Sequence, residues 1–138
     1  VTQANPNYKP DFLPHPYDGT AWYRWSLVIP ENLRGQKLQL EMQTVDDQDQ
    51  TYLNGEVIGH TGEETPNSWD AQRVYQLPSE KINWGGENVF AVRVRDVRGT
   101  GGILGQVRVG WPGAKTGLFY LRSTRLILDF DPNCWRQW

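Results

Sequence analysis

The chain has 138 residues, the size of one domain with a single hydrophobic core. Its 14 basic and 16 acidic side chains give a net charge of −2, which removes the electrostatic attraction that nucleic acids or anionic membrane surfaces require. No apolar run approaches the ~20 residues of a membrane span. A single cysteine, Cys134, excludes an internal disulfide, and the opening VTQANPNYKP, which carries no signal peptide, is typical of a mature or excised segment.

The first predicted elements are a loop and two strands. Residues 1–20 are rich in proline and end in PHPYDGT, a pattern typical of extended chain. Residues 22–29 and 37–45 alternate between apolar and polar side chains, which predicts half-buried strands. Trp22 falls on the polar face of the first strand, either as an exposed platform or packed under the N-terminal loop.

The remaining chain continues as short strands between turns. Asn54-Gly55 lies between two short strands in residues 51–59, a strong hairpin signal. One turn of irregular helix is expected within residues 77–88. Further strands are predicted at residues 73–78, 88–97, 102–111, 117–121 and 124–130. About eight strands without a long helix predict a single all-β domain with a β-sandwich architecture.

The polar sides of these strands form a predicted outer sheet face. The charged and amide residues that alternate outward are Arg24, Glu41, Gln43, Arg93 and Arg95. Opposite charges on neighbouring strands stabilise a sheet by about 0.2–1 kcal/mol a pair. We therefore interpret this stripe as a solvated or ion-paired face.

The order of motifs resembles a known family. The segments AWYR, DDQDQTYLNGEVIGHT and GGENVFAVRVRD, followed by a Gly-Gly pair, are similar to the galactose-binding-like jelly-roll domain of family 2 glycoside hydrolases. Related domains accompany β-galactosidases and sialate O-acetylesterases, and the broader fold includes many carbohydrate-binding modules. The resemblance covers about residues 17–109 and implies a jelly-roll β-sandwich that serves as an accessory domain, with catalysis on a separate barrel.

One part of the pattern is displaced. The usual opening strand is not evident before residue 17, whereas a segment of that character, LILDFDPNCWRQW, stands at the C-terminus. Either strands within residues 112–138 replace the first strand, or this segment begins a following unit. We treat residues 1–138 as one carbohydrate-binding-like domain.

The acidic stretch VDDQDQ has three readings. Asp46, Asp47 and Asp49 can accept hydrogen bonds from nearby backbone N–H groups and so order a turn. With Asn54 they could also supply oxygen ligands to calcium, although the regular spacing of an EF-hand is absent. The third reading is sugar binding, since carboxylates bind hydroxyls.

Two loops carry the chemistry of sugar recognition, in which an aromatic face packs on the sugar ring and polar groups bind its hydroxyls. The first loop, residues 60–70, contains Trp69, which either meets a ligand or plugs the end of the sandwich. The second loop, residues 95–103, has glycines that allow a ligand close approach. Convergence of the loops after three strands predicts a carbohydrate site formed by His60, Asn67, Trp69, Arg73, Asp46, Asp47, Asp96 and Arg98. Arg73 could instead pair with Asp70 or with an acid of the cluster.

Catalytic machinery is not evident in the sequence. The acids of one loop rarely face each other across a sugar as glycosidases require, no Gly-x-Ser-x-Gly elbow occurs, and His15 and His60 lack zinc spacing. We therefore expect a non-catalytic carbohydrate-binding module of a secreted or cell-surface glycoside hydrolase or carbohydrate esterase. Its expected partners are a poly- or oligosaccharide and the catalytic domain of the parent enzyme, and calcium is the one cofactor considered. The alternative is a scaffold domain that binds no sugar.

Overall fold

The fold is built almost entirely from strands. The computed structural model describes residues 19–97, 101–113, 119–120 and 125–127. The strands within these residues are β1 (Gly19–Val28), β2 (Gln39–Asp46), β3 (Gln48–Leu53), β4 (Glu56–Thr61), β5 (Arg73–Gln76), β6 (Glu87–Asp96), β7 (Gly102–Gly110), β8 (Phe119–Tyr120) and β9 (Arg125–Ile127). Short 3-10 turns occur at Glu31–Leu33, Ser68–Asp70 and Ser79–Lys81. None of the helical turns in this described part is long and apolar enough to cross a membrane.

The strands form two antiparallel sheets packed as a sandwich. The five-stranded sheet has the order β4-β3-β6-β1-β9, and the four-stranded sheet has the order β5-β2-β7-β8. The predicted all-β sandwich is thereby confirmed. Strand β9, from the C-terminal segment, lies beside β1 at the edge of the larger sheet. That position suits a strand replacing the missing first one, which stays a prediction.

The inward-facing side chains of the alternating strands fill the space between the sheets. Trp25 of β1 stacks on Phe90 of β6 with ring centroids 5.4 Å apart, and both rings are buried. From the facing sheet, Leu40 and Met42 of β2 and Val109 of β7 are completely buried in the same core. The period-2 pattern therefore identified the inward faces of these strands correctly.

Trp22 is buried on the opposite side of the larger sheet. Only 1% of its surface is exposed, and its ring lies 5.7 Å from that of Tyr52 on β3. Trp22 is therefore not an exposed platform, and packing is its role.

The Asn54-Gly55 hairpin has the predicted geometry. Both residues have positive φ, 49° at Asn54 and 85° at Gly55, as a tight hairpin between β3 and β4 requires. The asparagine side chain also accepts a hydrogen bond from the Val89 N–H at 2.8 Å. The turn is thus fastened to the neighbouring strand β6.

The strand directions give the sandwich two chemically different ends. Strands β2 and β6 finish, and β3 begins, at the same end, and there they carry aspartates. We call this the acidic end, formed by Asp46, Asp47, Asp49 and Asp96. The opposite end is closed by Asn54, Asn83 and Asn88, and we call it the amide end.

Candidate functional site

Asp46 and Asp47 fasten the corner between β2 and β3 to the segment that follows β6. The Asp47 carboxylate accepts a hydrogen bond from the Val97 N–H at 2.8 Å. The Asp46 carboxylate accepts one from the Gly101 N–H at 3.1 Å. The turn-ordering reading of these two aspartates is confirmed by these bonds.

Asp96 brings a third carboxylate to the same place. Asp46, Asp47 and Asp96 each offer an oxygen, and these oxygens lie within 4.8 Å of one another. Gly101, with φ of +71°, covers Asp96 so closely that a Cβ there would lie 2.8 Å from the Asp96 Cγ. A cluster of oxygen ligands of this kind suits a hard cation such as calcium.

The crowding of these acids changes the ionisation of Asp46. Its partial burial and its hydrogen bond with the Asp47 carboxyl raise the pKa of Asp46 above its ordinary value. The Gly101 N–H and the more distant Arg73 guanidinium act in the opposite direction. Protonation of Asp46, or a bound cation, would relieve the repulsion between the two neighbouring carboxylates.

Asp49 forms the centre of a buried polar network between the two sheets. Its carboxylate accepts hydrogen bonds from Arg73 Nε at 2.7 Å and from the Thr51 hydroxyl at 2.8 Å. The Tyr75 hydroxyl donates to it at 2.9 Å and is joined to the Thr61 hydroxyl at 2.8 Å. Burial beside the Asp49 charge raises the pKa of Tyr75 far above its ordinary value, so this hydroxyl stays protonated.

Arg73 connects that network to the loop that carries Trp69. The Asp49 and Arg73 side chains are both fully buried. The remaining Arg73 N–H groups donate to three backbone carbonyls, those of Asp47 at 3.0 Å, Ala71 at 2.6 Å and Ser68. Because Ser68 and Ala71 flank Trp69, the guanidinium fixes the turn Ser68–Asp70 on both sides. We call this segment the Trp69 turn.

Trp69 itself points away from the core. Its side chain is 53% exposed, so it does not plug the sandwich end. Asn67 begins the turn in the left-handed region, with φ of 52° and ψ of 46°, a conformation that asparagine tolerates well. The exposed Val97, held by Asp47, adds apolar surface at this end.

The structure separates the predicted site residues into groups. Those with exposed side chains are His60, Asn67 and Trp69; Asp46 and Asp47 are half-buried; Arg73 and Asp96 are buried. Arg98 lies outside the described residues. The expected convergence of loops is observed for Asp46, Asp47 and Asp96 and, through Arg73, for the Trp69 turn.

Arg73 requires a change of role. With 1% of its surface exposed and its donors engaged inside the protein, its guanidinium has no face to offer a sugar. It pairs with Asp49, an acid of the cluster, as the alternative reading allowed. Asp96 is also buried, with 6% of its surface exposed, so its carboxylate has little surface to offer a sugar.

Two members of the network were not identified from the sequence. Tyr75 and Thr51 share the inward faces of β5 and β3 with Arg73 and Asp49, so alternation alone places all four side chains inside. An inward acid on one predicted strand and an inward arginine on another is a signal for a buried ion pair. That signal becomes usable only once the two strands are known to face each other.

Comparison with known proteins places the chain in a family. The family described as the beta-galactosidase second all-beta domain matches residues 2–99, well over half of the chain. The chain belongs to this family. The resemblance to an accessory all-β domain of glycoside hydrolases is thus confirmed. No curated protein matches the chain.

Solved structures similar to this family member are glycosidases of much greater length. A β-D-glucuronidase from Dictyoglomus thermophilum is 20% identical, with a TM-score of 0.52, over 58% of this chain and 13% of that one. A β-glucuronidase from Ruminococcus gnavus is 20% identical, with a TM-score of 0.54, over 63% and 14%. A β-glucuronidase from glycoside hydrolase family 2 is 26% identical, with a TM-score of 0.53, over 63% and 8%. The chain therefore spans a small fraction of the structures that it matches.

Proposed function

We propose that this domain is a non-catalytic carbohydrate-binding module of a polysaccharide-degrading enzyme, and that it binds sugar at its acidic end. The parent enzyme in this proposal is a secreted or cell-surface glycoside hydrolase. A polymeric substrate outside the cell would require that location, which fractionation of the producing cells would test.

The observation that carries the proposal is the fixed and exposed position of Trp69. An aromatic ring that must pack on a sugar gains affinity when its turn is already ordered, because less conformational entropy is lost on binding. Arg73 supplies that order from below through the carbonyls of Ser68 and Ala71. The indole face remains in solvent, where it can pack on the C–H side of a pyranose.

The loop that carries Trp69 and the corner joined to it by Arg73 supply polar groups that can bind hydroxyls. Asn67 lies two residues before Trp69, and Asp47 is joined to the same turn through Arg73. His60 and Glu64, 3.2 Å apart, lie at the start of the loop. Such a site is shallow and leaves much of the ligand in water, so we expect an affinity near the millimolar range.

A glycan and polysaccharide binding screen of the purified domain tests the proposal. We expect Trp69→Ala to abolish the binding that the unmodified domain shows, with an unchanged circular dichroism spectrum. Trp111→Ala is the matched control, because Trp111 is also exposed but follows β7 at the amide end. Repeating the screen with EDTA shows whether a cation at the aspartates is needed. Binding unaffected by Trp69→Ala would contradict the proposal.

A scaffold domain without sugar binding is the second candidate. It is favoured by the large size of the similar structures, in which a domain of this length has neighbours. Exposed Trp69 and Val97 would then pack against the catalytic domain. A screen without any bound glycan, together with protection of Trp69 from solvent quenchers in the parent enzyme, would select this candidate.

A further inference from the structure

A second polar surface lies on the outer face of the four-stranded sheet, and one of its residues, Gln72, follows the Trp69 turn by two positions. It is an open groove of about 260 Å³ lined by Glu41, Gln43, Gln72, Gln106 and Arg108. The sequence pattern suggested only a solvated or ion-paired face here. Each of the lining side chains ends in a carboxylate, an amide or a guanidinium, so the groove presents hydrogen-bonding groups throughout.

The centre of the groove is a cross-strand ion pair. Glu41 on β2 lies opposite Arg108 on β7, and the Arg108 Nε donates to the Glu41 carboxylate. Gln39 donates to the other Glu41 oxygen at 2.7 Å and is itself bonded by Gln76 at 3.2 Å. The hydrogen bond from Arg108 lowers the pKa of Glu41, so the pair is ionised and its net charge is zero.

Glutamines surround this pair with groups that can both donate and accept. The Gln43 side-chain oxygen accepts a hydrogen bond from the Gln106 N–H at 2.9 Å, which leaves the Gln43 amide nitrogen as a donor. Among the described residues, the side-chain amides of Gln72 and Gln106 have no hydrogen-bond partner, and both side chains are in exposed residues. Gln72 immediately precedes β5, and Gln43 immediately follows Met42, which pairs with Arg73 at the start of β5.

We propose that this groove is a second binding site, which takes a short stretch of neutral oligosaccharide. A sugar hydroxyl donates and accepts in the same way as an amide, so it can replace the water on each lining group without leaving a partner unsatisfied. An anionic or cationic ligand would be attracted by one member of the Glu41–Arg108 pair and repelled by the other, so the pair offers it no net attraction, and an apolar ligand would bury these groups without compensation. The groove is smaller than the ~300–1,000 Å³ of enclosed ligand pockets, so the ligand lies along the sheet and stays partly in water.

The two proposed sites are separable in one experiment. The isolated domain is titrated with neutral galactotriose while the backbone amide resonances are followed by NMR. We expect shifts at Gln43, Gln106 and Arg108, and these should persist in Trp69→Ala. The double variant Gln72→Ala/Gln106→Ala should weaken the affinity for galactotriose, measured from the shifts at the groove residues, roughly tenfold. This is the loss expected for two neutral hydrogen bonds. Gln36→Ala, at an exposed glutamine outside the groove, is the matched control.

Three results would overturn the inference. The first is an absence of chemical-shift changes at the groove residues at high galactotriose concentration. The second is an affinity at the groove that is unchanged in the double variant. The third is equally strong groove binding of trigalacturonate, which would contradict the neutral-ligand assignment. Because the Trp69 resonances are followed in the same spectra, failure at the acidic end and failure in the groove give different patterns.

Discussion

The two ends of the sandwich are closed by different chemistry. At the amide end, the fully buried Asn88 donates to the carbonyls of Asn83 and Gly86, both at 3.0 Å. Its side-chain oxygen accepts from the Asn83 N–H at 2.7 Å and from the Asn54 amide at 3.0 Å. This end is held by neutral groups whose hydrogen bonds are saturated within the protein.

The acidic end is held by charges and leaves side chains in solvent. The Asp49–Arg73 pair lies completely inside it, while Trp69 and Val97 are 53% and 52% exposed. Apolar side chains are exposed at the amide end as well, among them Val28 and Trp111, but the amides there are bonded to one another and to the backbone. A buried ion pair with a loop fixed above it presents an ordered aromatic surface, and this is why we assign ligand binding to the acidic end.

Arg73→Met should have the largest effect on stability. It leaves the Asp49 carboxylate buried without its cation, and losing one partner of such a pair costs about 3–5 kcal/mol. The free energy of unfolding in urea measures this loss. Arg73→Met/Asp49→Leu removes both charges and should recover much of it. If the double variant were no more stable than Arg73→Met, the account of the ion pair would be contradicted.

Asn88→Ala tests the opposite end. It leaves buried backbone groups of Asn83 and Gly86 without partners, and each such group costs about 1–3 kcal/mol. We expect a total loss of about 3 kcal/mol in urea unfolding. Because amides do not titrate, the loss should be the same at pH 5 and pH 8. A pH-dependent loss would show that the two ends are not chemically independent.

Gly59→Ala should loosen the acidic end by overpacking. A Cβ at this position would lie 2.6 Å from Cε1 of the Tyr75 ring, and Tyr75 would have to move away from Asp49. Overpacking of this kind costs about 1–3 kcal/mol, measurable as a lower midpoint of thermal unfolding. Gly62→Ala is the control, because its nearest neighbour is the flexible end of the Glu64 side chain. Equal losses in the two variants would argue against tight packing of Tyr75 on β4.

Asp46→Asn should have the smallest effect on the free energy of unfolding, about 0.5 kcal/mol. Unlike the three variants above, it should stabilise the domain at neutral pH. Burial and Asp47 raise the folded-state pKa of Asp46 above its ordinary value of 3.8. The folded protein therefore keeps a proton that the unfolded chain releases, so this carboxyl lowers stability as pH rises from about 3.8 through the folded pKa. Asp46→Asn removes that dependence and should be at least as stable as the unmodified domain at pH 7.

Calcium reverses this expectation if it binds the three aspartates. A cation stabilises the charged carboxylates, so excess calcium should stabilise the unmodified domain more than Asp46→Asn. Thermal unfolding curves recorded from pH 4 to pH 7, with calcium and with EDTA, separate the two cases. An Asp46→Asn variant that is less stable than the unmodified domain in EDTA at pH 7 would contradict the raised pKa.

The strands could be predicted from the sequence because each one shows its own alternation of apolar and polar side chains. Alternation placed Trp25 and Phe90 inside, and the Asn54-Gly55 pair identified the hairpin. These two features are local. The turn-ordering role of Asp46 and Asp47 is one of three readings of the acidic stretch, and only the structure identifies the donors, Val97 and Gly101, which lie 50 and 55 positions away.

The roles of Arg73, Asp49 and Trp22 depended on partners distant in sequence. Arg73 is 24 positions from Asp49, and nothing in either strand shows that the other faces it. Trp22 lies on a polar face by alternation yet is buried, because the outer side of that sheet has packing of its own with Tyr52. The burial of Arg73 and Asp49 depends on how the two sheets face each other, and the burial of Trp22 depends on which strands are neighbours in one sheet. The alternation along a single strand contains neither.

The measurement that tests the central claim most directly is an NMR map of ligand binding across both ends. The domain is titrated with the best glycan from the screen, and the shift of every assigned amide is recorded. We predict that shifts include residues 67–71 and Val97 at the acidic end and leave Asn54, Asn83 and Asn88 unchanged. Shifts concentrated at the amide end, with the Trp69 turn unaffected, would contradict the assignment of ligand binding to the acidic end.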